Sequence, residues 1–97
     1  MKVKVNNQLN DVEGKPLQGD KSKTLTMRDV CINSLLTPVQ GDDEKIKWEK
    51  YEIFKKLRDA TDEVELKLEE LSLLKKAVGK LQPPLLMGQI WEMLEGK

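Results

Sequence analysis

Acidic residues are the side chains of this sequence best suited to chemistry, because carboxylates bind divalent cations and transfer protons. They gather at Asp42-Asp43-Glu44 and again at Asp59, Asp62 and Glu63. Neither group has the alternating oxygen ligands and central glycine of an EF-hand loop. The first group also stands where a helix is expected to begin, and carboxylates stabilise helix N-termini. Helix capping therefore accounts for these acids better than a metal site or a general-acid pair.

The other reactive side chains do not form a catalytic set. The chain has no histidine and a single cysteine, so Cys31 has no imidazole to activate its thiol and no partner for a disulfide. Apolar residues flank Cys31 on both sides, which favours an inert buried thiol. Gly14 and Gly19 precede Asp20, whereas a phosphate-binding loop would continue into lysine and a hydroxyl residue. We therefore expect a protein that is not an enzyme and has no cofactor or metal.

Large apolar residues outside the main helical stripes are candidates for a protein-binding surface. Trp, Tyr and Met are enriched at protein interfaces. On a helical wheel Trp48 lies outside the apolar arc of its helix, and Leu73 lies about 200° from Leu71. The candidate interface residues are Trp48, Tyr51, Leu73, Met87 and Trp91. The alternative is that Trp48 packs against the N-terminal segment and Trp91 against the second or third helix, and the sequence leaves both interpretations open.

Basic residues offer a second, weaker candidate site. Lys21, Lys23 and Arg28 form a local basic patch that could contact phosphates together with the start of the first helix. The formal net charge of the whole chain is +0, however, so no overall field attracts nucleic acid. The first forty residues also contain no aromatic side chain on which a base could stack. A nucleic-acid-associated regulator is therefore the alternative hypothesis and not the leading one.

Hydrophobic periodicity predicts four helices in a mainly α fold. A capping box of Thr26 and Asp29 marks the start of the first helix, and Thr37-Pro38 ends it. Asp42 is the expected cap of the second helix. The third is expected to start near Glu69 and to bury a stripe formed by Leu71, Leu74, Val78 and Leu81.

The fourth helix is expected from about Pro84 to Glu95. Pro84 suits the first helical position because its missing N–H costs nothing there. Gly96 stands where a left-handed cap is usual.

Two short segments outside the predicted helices are expected to be extended. Residues 1–25 form an N-terminal strand and loop, and residues 26–97 form the helical part of a single domain. Residues 63–68 alternate like a strand but have the composition of a helix, and we favour a short strand at Val64–Leu66 because Lys2–Val5 needs a partner. Whether that N-terminal strand pairs within the chain or between two copies stays open at this point.

The sequence also suggests a location and a state of association. The charged start is not followed by the apolar region and cleavage site of a signal peptide, and no apolar run approaches the roughly 18–20 residues of a membrane span. We expect a cytoplasmic protein of a bacterial host cell, with association with a virion left open. A chain of 97 residues has a thin core, which favours a protein partner or a homo-oligomer.

The chain resembles a group of small proteins, with no assigned activity, that are encoded by temperate bacteriophages and prophages. The residues that carry the resemblance are Thr24 to Val30, Asp43-Glu44-Lys45, Glu63-Val64, and Pro83-Pro84-Leu85 with Gly88-Gln89. The resemblance implies a phage origin and a compact helical domain, and it carries over no functional residue. The leading hypothesis is a non-enzymatic protein–protein interaction module that helps virion assembly as an adaptor or binds a host protein.

Overall fold

The computed structural model describes residues 1–18 and 24–96 of the chain. These residues contain four helices and a two-stranded sheet. The fold is mainly α, as predicted. In chain order the elements are β1 (Lys2–Lys4), α1 (Met27–Leu36), α2 (Glu44–Asp59), β2 (Glu63–Glu65), α3 (Leu68–Leu81) and α4 (Pro84–Leu94).

The sheet confirms the predicted pairing of the N-terminal strand with the segment before α3. β1 and β2 are antiparallel within one chain, with Val3 opposite Val64. Both valines are buried while their charged neighbours face outward, which is the period-2 pattern of a half-buried strand. The N-terminal ammonium continues the ladder by donating to the carbonyl of Leu66 at 2.9 Å. β2 begins one residue earlier than predicted, and Leu66 is buried just beyond its end.

Residues 5–18 and 24–26 are more regular than the loop expected there. Three leucines spaced eight residues apart close a ring of backbone hydrogen bonds: Leu9 donates to Leu25 (3.0 Å), Leu25 to Leu17 (2.8 Å) and Leu17 to Leu9 (2.8 Å). Leu9 is fully buried, so the ring is joined to the core. Gln89 attaches this segment to α4, because its side-chain amide both accepts from the backbone N–H of Asn10 and donates to the Asn10 carbonyl, each at 2.8 Å.

The helix termini follow local capping chemistry with one difference. Thr26 and Asp29 form the predicted capping box of α1. The N-cap of α2 is Asp43, which accepts from the backbone N–H of Ile46, so the prediction that Asp42 caps this helix is wrong. Asp42 is instead drawn into an ion pair with Lys50. Pro84 opens α4 and Gly96 follows it with a φ of +79°, both as predicted.

The core lies where α1 crosses α2 and α3, and where α4 and β1 close its other side. α3 begins at Leu68, one residue before the predicted start. Leu71, Leu74 and Val78 of its predicted stripe are buried, whereas Leu81, the last residue of the helix, is only half-buried. A polar bridge crosses the helices as well, because the Gln82 amide donates to the Ser34 hydroxyl, which donates to the Val30 carbonyl, both at 2.9 Å. Buried Ser34 is thereby satisfied, as buried polar groups must be.

Candidate interaction surface

The outer side of α2 carries three aromatic rings one turn apart, which we call the aromatic ridge: Trp48, Tyr51 and Phe54. Adjacent ring centroids are 5.8 Å apart and the planes are tilted by 36° and 38°, an arrangement that aromatic pairs favour. Trp48 is 59% exposed and Tyr51 is 42% exposed, whereas Phe54 is half-buried against the core. The first two rings therefore offer apolar area to solvent.

Cations line the aromatic ridge. Lys55 Nζ lies 5.3 Å from the centroid of the Tyr51 ring, and the Arg58 guanidinium lies 5.3 Å from that of Phe54. Both distances are within the range of cation–π attraction. Arg58 also pairs with Asp59 at 3.0 Å, and the hydrogen bond from Arg58 holds the pKa of Asp59 below its usual value.

Beside the ridge lies a groove between the C-terminal end of α1 and α2, here called the α1–α2 groove. It encloses about 330 Å³ and is lined by Leu35, Leu36, Thr37, Pro38, Val39, Asp42, Lys47, Lys50 and Tyr51. Leu36 is 52% exposed at its edge. Tyr51 belongs to both the groove and the ridge, so the two form one continuous surface.

A buried ion pair forms the floor of the α1–α2 groove. The Lys50 ammonium donates to Oδ2 of Asp42, and both side chains are almost fully covered. Taking two charges out of water is costly unless they are paired closely, so this pair ties the connection after α1 to α2. Sequence reasoning missed Lys50, and the available signal was its position on the inner half of the helical wheel, eight residues after an aspartate.

Leu73 lies on the other side of α2. It is half-buried and packs against the core in a second groove, the α2–α3 groove, whose lining is Glu49, Glu52, Ile53, Lys56, Lys67, Glu69, Glu70 and Leu73. Lys56 joins the two helices here by donating to both carboxylate oxygens of Glu70, at 2.9 and 2.7 Å. The structure therefore does not place Leu73 on the same surface as Trp48.

Met87 and Trp91 are packed inward from α4. The Trp91 indole N–H donates to the Lys75 carbonyl at 3.1 Å, and the Lys75 ammonium lies 4.6 Å from the ring centroid. The ring covers Gly79, where an added Cβ would stand 3.2 Å from Trp91 Cζ2. Met87 is also half-buried against the core. Trp91 thus packs against the third helix, and the structure brings together only Trp48 and Tyr51 of the five candidates.

Of the predicted basic patch, Arg28 alone lies within the described residues. The Arg28 guanidinium donates to the carbonyls of Ala60 at 2.6 Å and Thr61 at 3.2 Å, where it closes the C-terminal end of α2. Its Nε is buried and, within the described residues, has no hydrogen-bond partner. Arg28 is therefore committed to the fold. Lys21 and Lys23 lie outside the described residues.

Groups with reactive chemistry are sparse within the described part of the chain. Cys31 is fully buried, and burial raises the pKa of its thiol to about 12, so the nucleophilic thiolate does not form at neutral pH. No three His, Cys, Asp or Glu side chains among residues 1–18 and 24–96 are grouped so that they could hold a metal ion.

In the same residues, no helix is both long and apolar enough to cross a membrane.

Comparison of the chain with protein-family models, with curated proteins and with solved structures finds no match. The surface formed by the aromatic ridge and the α1–α2 groove is therefore interpreted from its own geometry.

Proposed function

We propose that this protein is a non-enzymatic protein–protein interaction module, encoded by a phage, that acts as a virion-assembly adaptor or binds a host protein. Its docking site is the aromatic ridge together with the α1–α2 groove. The observation that carries the proposal is the exposure of Trp48 and Tyr51, 59% and 42%, beside a groove walled by apolar side chains.

The composition of this site is typical of protein interfaces. Trp and Tyr are the residues most enriched among those that dominate binding energy, and they act best beside a pocket that excludes water. Leu36, Pro38 and Val39 supply an apolar wall, while Lys47 and Lys55 stand at the rim. A partner that covers the groove would bury this apolar area and leave the lysines in contact with solvent, which is the usual arrangement of core and rim.

Site-specific photo-crosslinking tests the proposal. The photoreactive amino acid p-benzoylphenylalanine replaces Trp48 in one variant and Glu92, an exposed residue of α4, in a matched control. In phage-infected cells we expect a defined crosslinked protein from position 48 that is absent from position 92, with its identity read by mass spectrometry. Equal crosslinking from both positions, or none from position 48, would refute the docking site.

The second candidate is a nucleic-acid-associated regulator, and one observation favours it. Aromatic rings interleaved with Lys55 and Arg58 on α2 are the kind of surface on which bases of a single strand stack. The test is the binding of a labelled single-stranded oligonucleotide, oligo(dT) or oligo(rU), over a range of salt. Such binding must weaken steeply as salt rises, and no binding at low salt excludes it.

A further inference from the structure

Leu68 is an exposed apolar residue with charged side chains around it. It occupies the first position of α3 and is 80% exposed. Single exposed leucines are common on protein surfaces and do not by themselves indicate a binding site. Leu68, however, lies at the edge of the α2–α3 groove, in a depression whose other lining residues are Ile46, Glu49, Glu69, Ser72, Leu73 and Lys76.

The two grooves that flank α2 differ in charge. Four carboxylates and two ammonium groups line the α2–α3 groove, and of these Lys56 and Glu70 neutralise each other. The α1–α2 groove has two lysines and one aspartate, and after the Lys50–Asp42 pair is formed Lys47 is left in excess. Lys55 adds a second positive charge above the Tyr51 ring. Glu44 is the carboxylate of α2 nearest to that face in the helical projection and offsets one of these charges, so this side keeps a small positive excess.

Each of the two surfaces also exposes apolar side chains. The acidic side presents Leu68, which is 80% exposed, whereas the basic side presents a groove lined in part by apolar side chains and the exposed ring of Tyr51. Insertion of Leu68 between Leu36 and Tyr51 would bury apolar area on both sides, and it would bring Glu69 towards Lys47. Charge complementarity of this kind fixes the register of an interface and suppresses wrong partners.

We propose that the occupant of the α1–α2 groove is a second copy of this chain, which inserts Leu68 and the acidic edge of its α2–α3 groove. This inference rests on the proposed function and names the partner of the same docking site. The two surfaces lie on opposite sides of α2, so the contact is heterologous and each copy keeps one surface free for the next. Such contacts close into rings or continue as filaments.

A complementation experiment tests the head-to-tail contact. Tyr51→Ser disables the groove and Leu68→Ser disables the protruding residue, while Val12→Ser, which changes an 84% exposed apolar residue elsewhere, is the matched control. Mass is measured by light scattering up to millimolar concentration, and far-ultraviolet circular dichroism checks that each variant is folded. The wild type and Val12→Ser are expected to assemble beyond a dimer, whereas each single variant stays monomeric. An equimolar mixture of the two variants is expected to form a 1:1 dimer that does not grow.

Charge reversal tests the register. Lys47→Glu should weaken self-association about two- to fivefold, as expected for a pair at an interface rim, and Lys47→Glu combined with Glu69→Lys in the same chain should restore it. A wild type that stays monomeric, variants that fail to complement each other, or an equal loss with Val12→Ser would overturn the inference. Binding of oligo(dT) to this surface in preference to a second copy of the chain would also overturn it. A monomeric chain that still crosslinks another protein from position 48 would refute self-association and leave the proposed function standing.

Discussion

At the level of single residues, the indole of Trp91 explains the glycine in the interior of α3. The ring is fixed by its hydrogen bond to the Lys75 carbonyl and by the Lys75 ammonium above it, while Lys75 also pairs with Glu95 at 2.8 Å. Its edge comes so close to the helix that a side chain at position 79 would press on it. Trp91, for which the sequence left core and interface both open, therefore packs α4 against α3.

The first prediction compares two helical glycines. Alanine in place of a glycine within a helix usually stabilises by about 0.5–1 kcal/mol. Gly88→Ala in α4 should show that gain because no atom of the described residues outside the helix's own backbone and the neighbouring residues lies within 4 Å of the added Cβ. Gly79→Ala should be neutral or destabilising, since Trp91 must shift to admit it. Urea unfolding measures both, and an equal gain at the two positions would show that Trp91 does not pack tightly on α3.

The second prediction concerns the buried ion pair. Asp42→Ala leaves the Lys50 ammonium buried without a partner and should lower the free energy of unfolding by about 3–5 kcal/mol. Adding Lys50→Met removes the charge, so the double variant should recover most of that loss. Chemical denaturation of the two variants beside the wild type is the measurement. If the double variant were as unstable as Asp42→Ala alone, the unpaired Lys50 ammonium would not be the cause of the lost free energy of unfolding.

At the level of secondary-structure elements, α3 divides into an inner and an outer side. Leu74 is fully buried, whereas Leu73 is half-buried at the α2–α3 groove. Leu74→Ala should therefore cost about 2–5 kcal/mol because it leaves a cavity, and Leu73→Ala should cost clearly less because the groove lets water reach the site. Thermal unfolding compares them, and equal losses would contradict this division of the helix.

The Lys56–Glu70 pair makes the contact between α2 and α3 sensitive to pH. Burial raises the pKa of Glu70, but hydrogen bonds from the Lys56 side chain and the Lys67 backbone outweigh it and hold that pKa below its ordinary value of 4.5. A folded-state pKa below the unfolded value contributes stability above about pH 4.5 that is lost as the pH falls through the folded pKa. Glu70→Gln should therefore be less stable at pH 7 and should lose less on acidification. Urea unfolding from pH 7 to pH 3 tests this, and parallel curves for the two proteins would exclude Glu70 as a cause.

At the level of the whole molecule, the N-terminal segment is part of the core and not an accessory. Val3, Val5 and Leu9 are buried in the same cluster as the helix stripes. The ring formed by Leu9, Leu17 and Leu25 satisfies backbone groups that would otherwise be left unpaired on entering the core. The side chain of Gln89 joins the backbone beside this ring, at Asn10, to α4.

The last prediction tests that attachment. Gln89→Ala should remove both hydrogen bonds to Asn10 and raise the hydrogen-exchange rate of the Asn10 amide at least about tenfold, which corresponds to about 1.4 kcal/mol of local opening. Exchange at Ile53, on the far side of the core, should change little and serves as the internal control. A uniform increase across both sites would instead show that Gln89 supports global stability.

The helices, most of their limits and the extended segment around Val64 were open to prediction from the sequence because they depend on local chemistry. The N-cap of α2 was not, because Asp42 is held in an ion pair with Lys50. The capping box of Thr26, the proline at position 84 and the glycine at position 96 act through hydrogen bonds and dihedral angles within a few residues. The alternation around Val64 likewise requires only neighbouring residues and one strand to pair with.

The surface, by contrast, was decided by the tertiary structure, because burial depends on residues distant in sequence. The sequence left Trp48 and Trp91 open to the same two interpretations, yet Gly79 admits the Trp91 ring to α3, whereas no helix of the described residues covers Trp48. Lys50 lies on the inner half of the helical wheel, but only the folded chain brings Asp42 beside it. The acceptors of Arg28 are likewise supplied only where the end of α2 meets α1. The sequence by itself therefore determined the elements and their order, and packing between them decided which side chains remain to meet a partner.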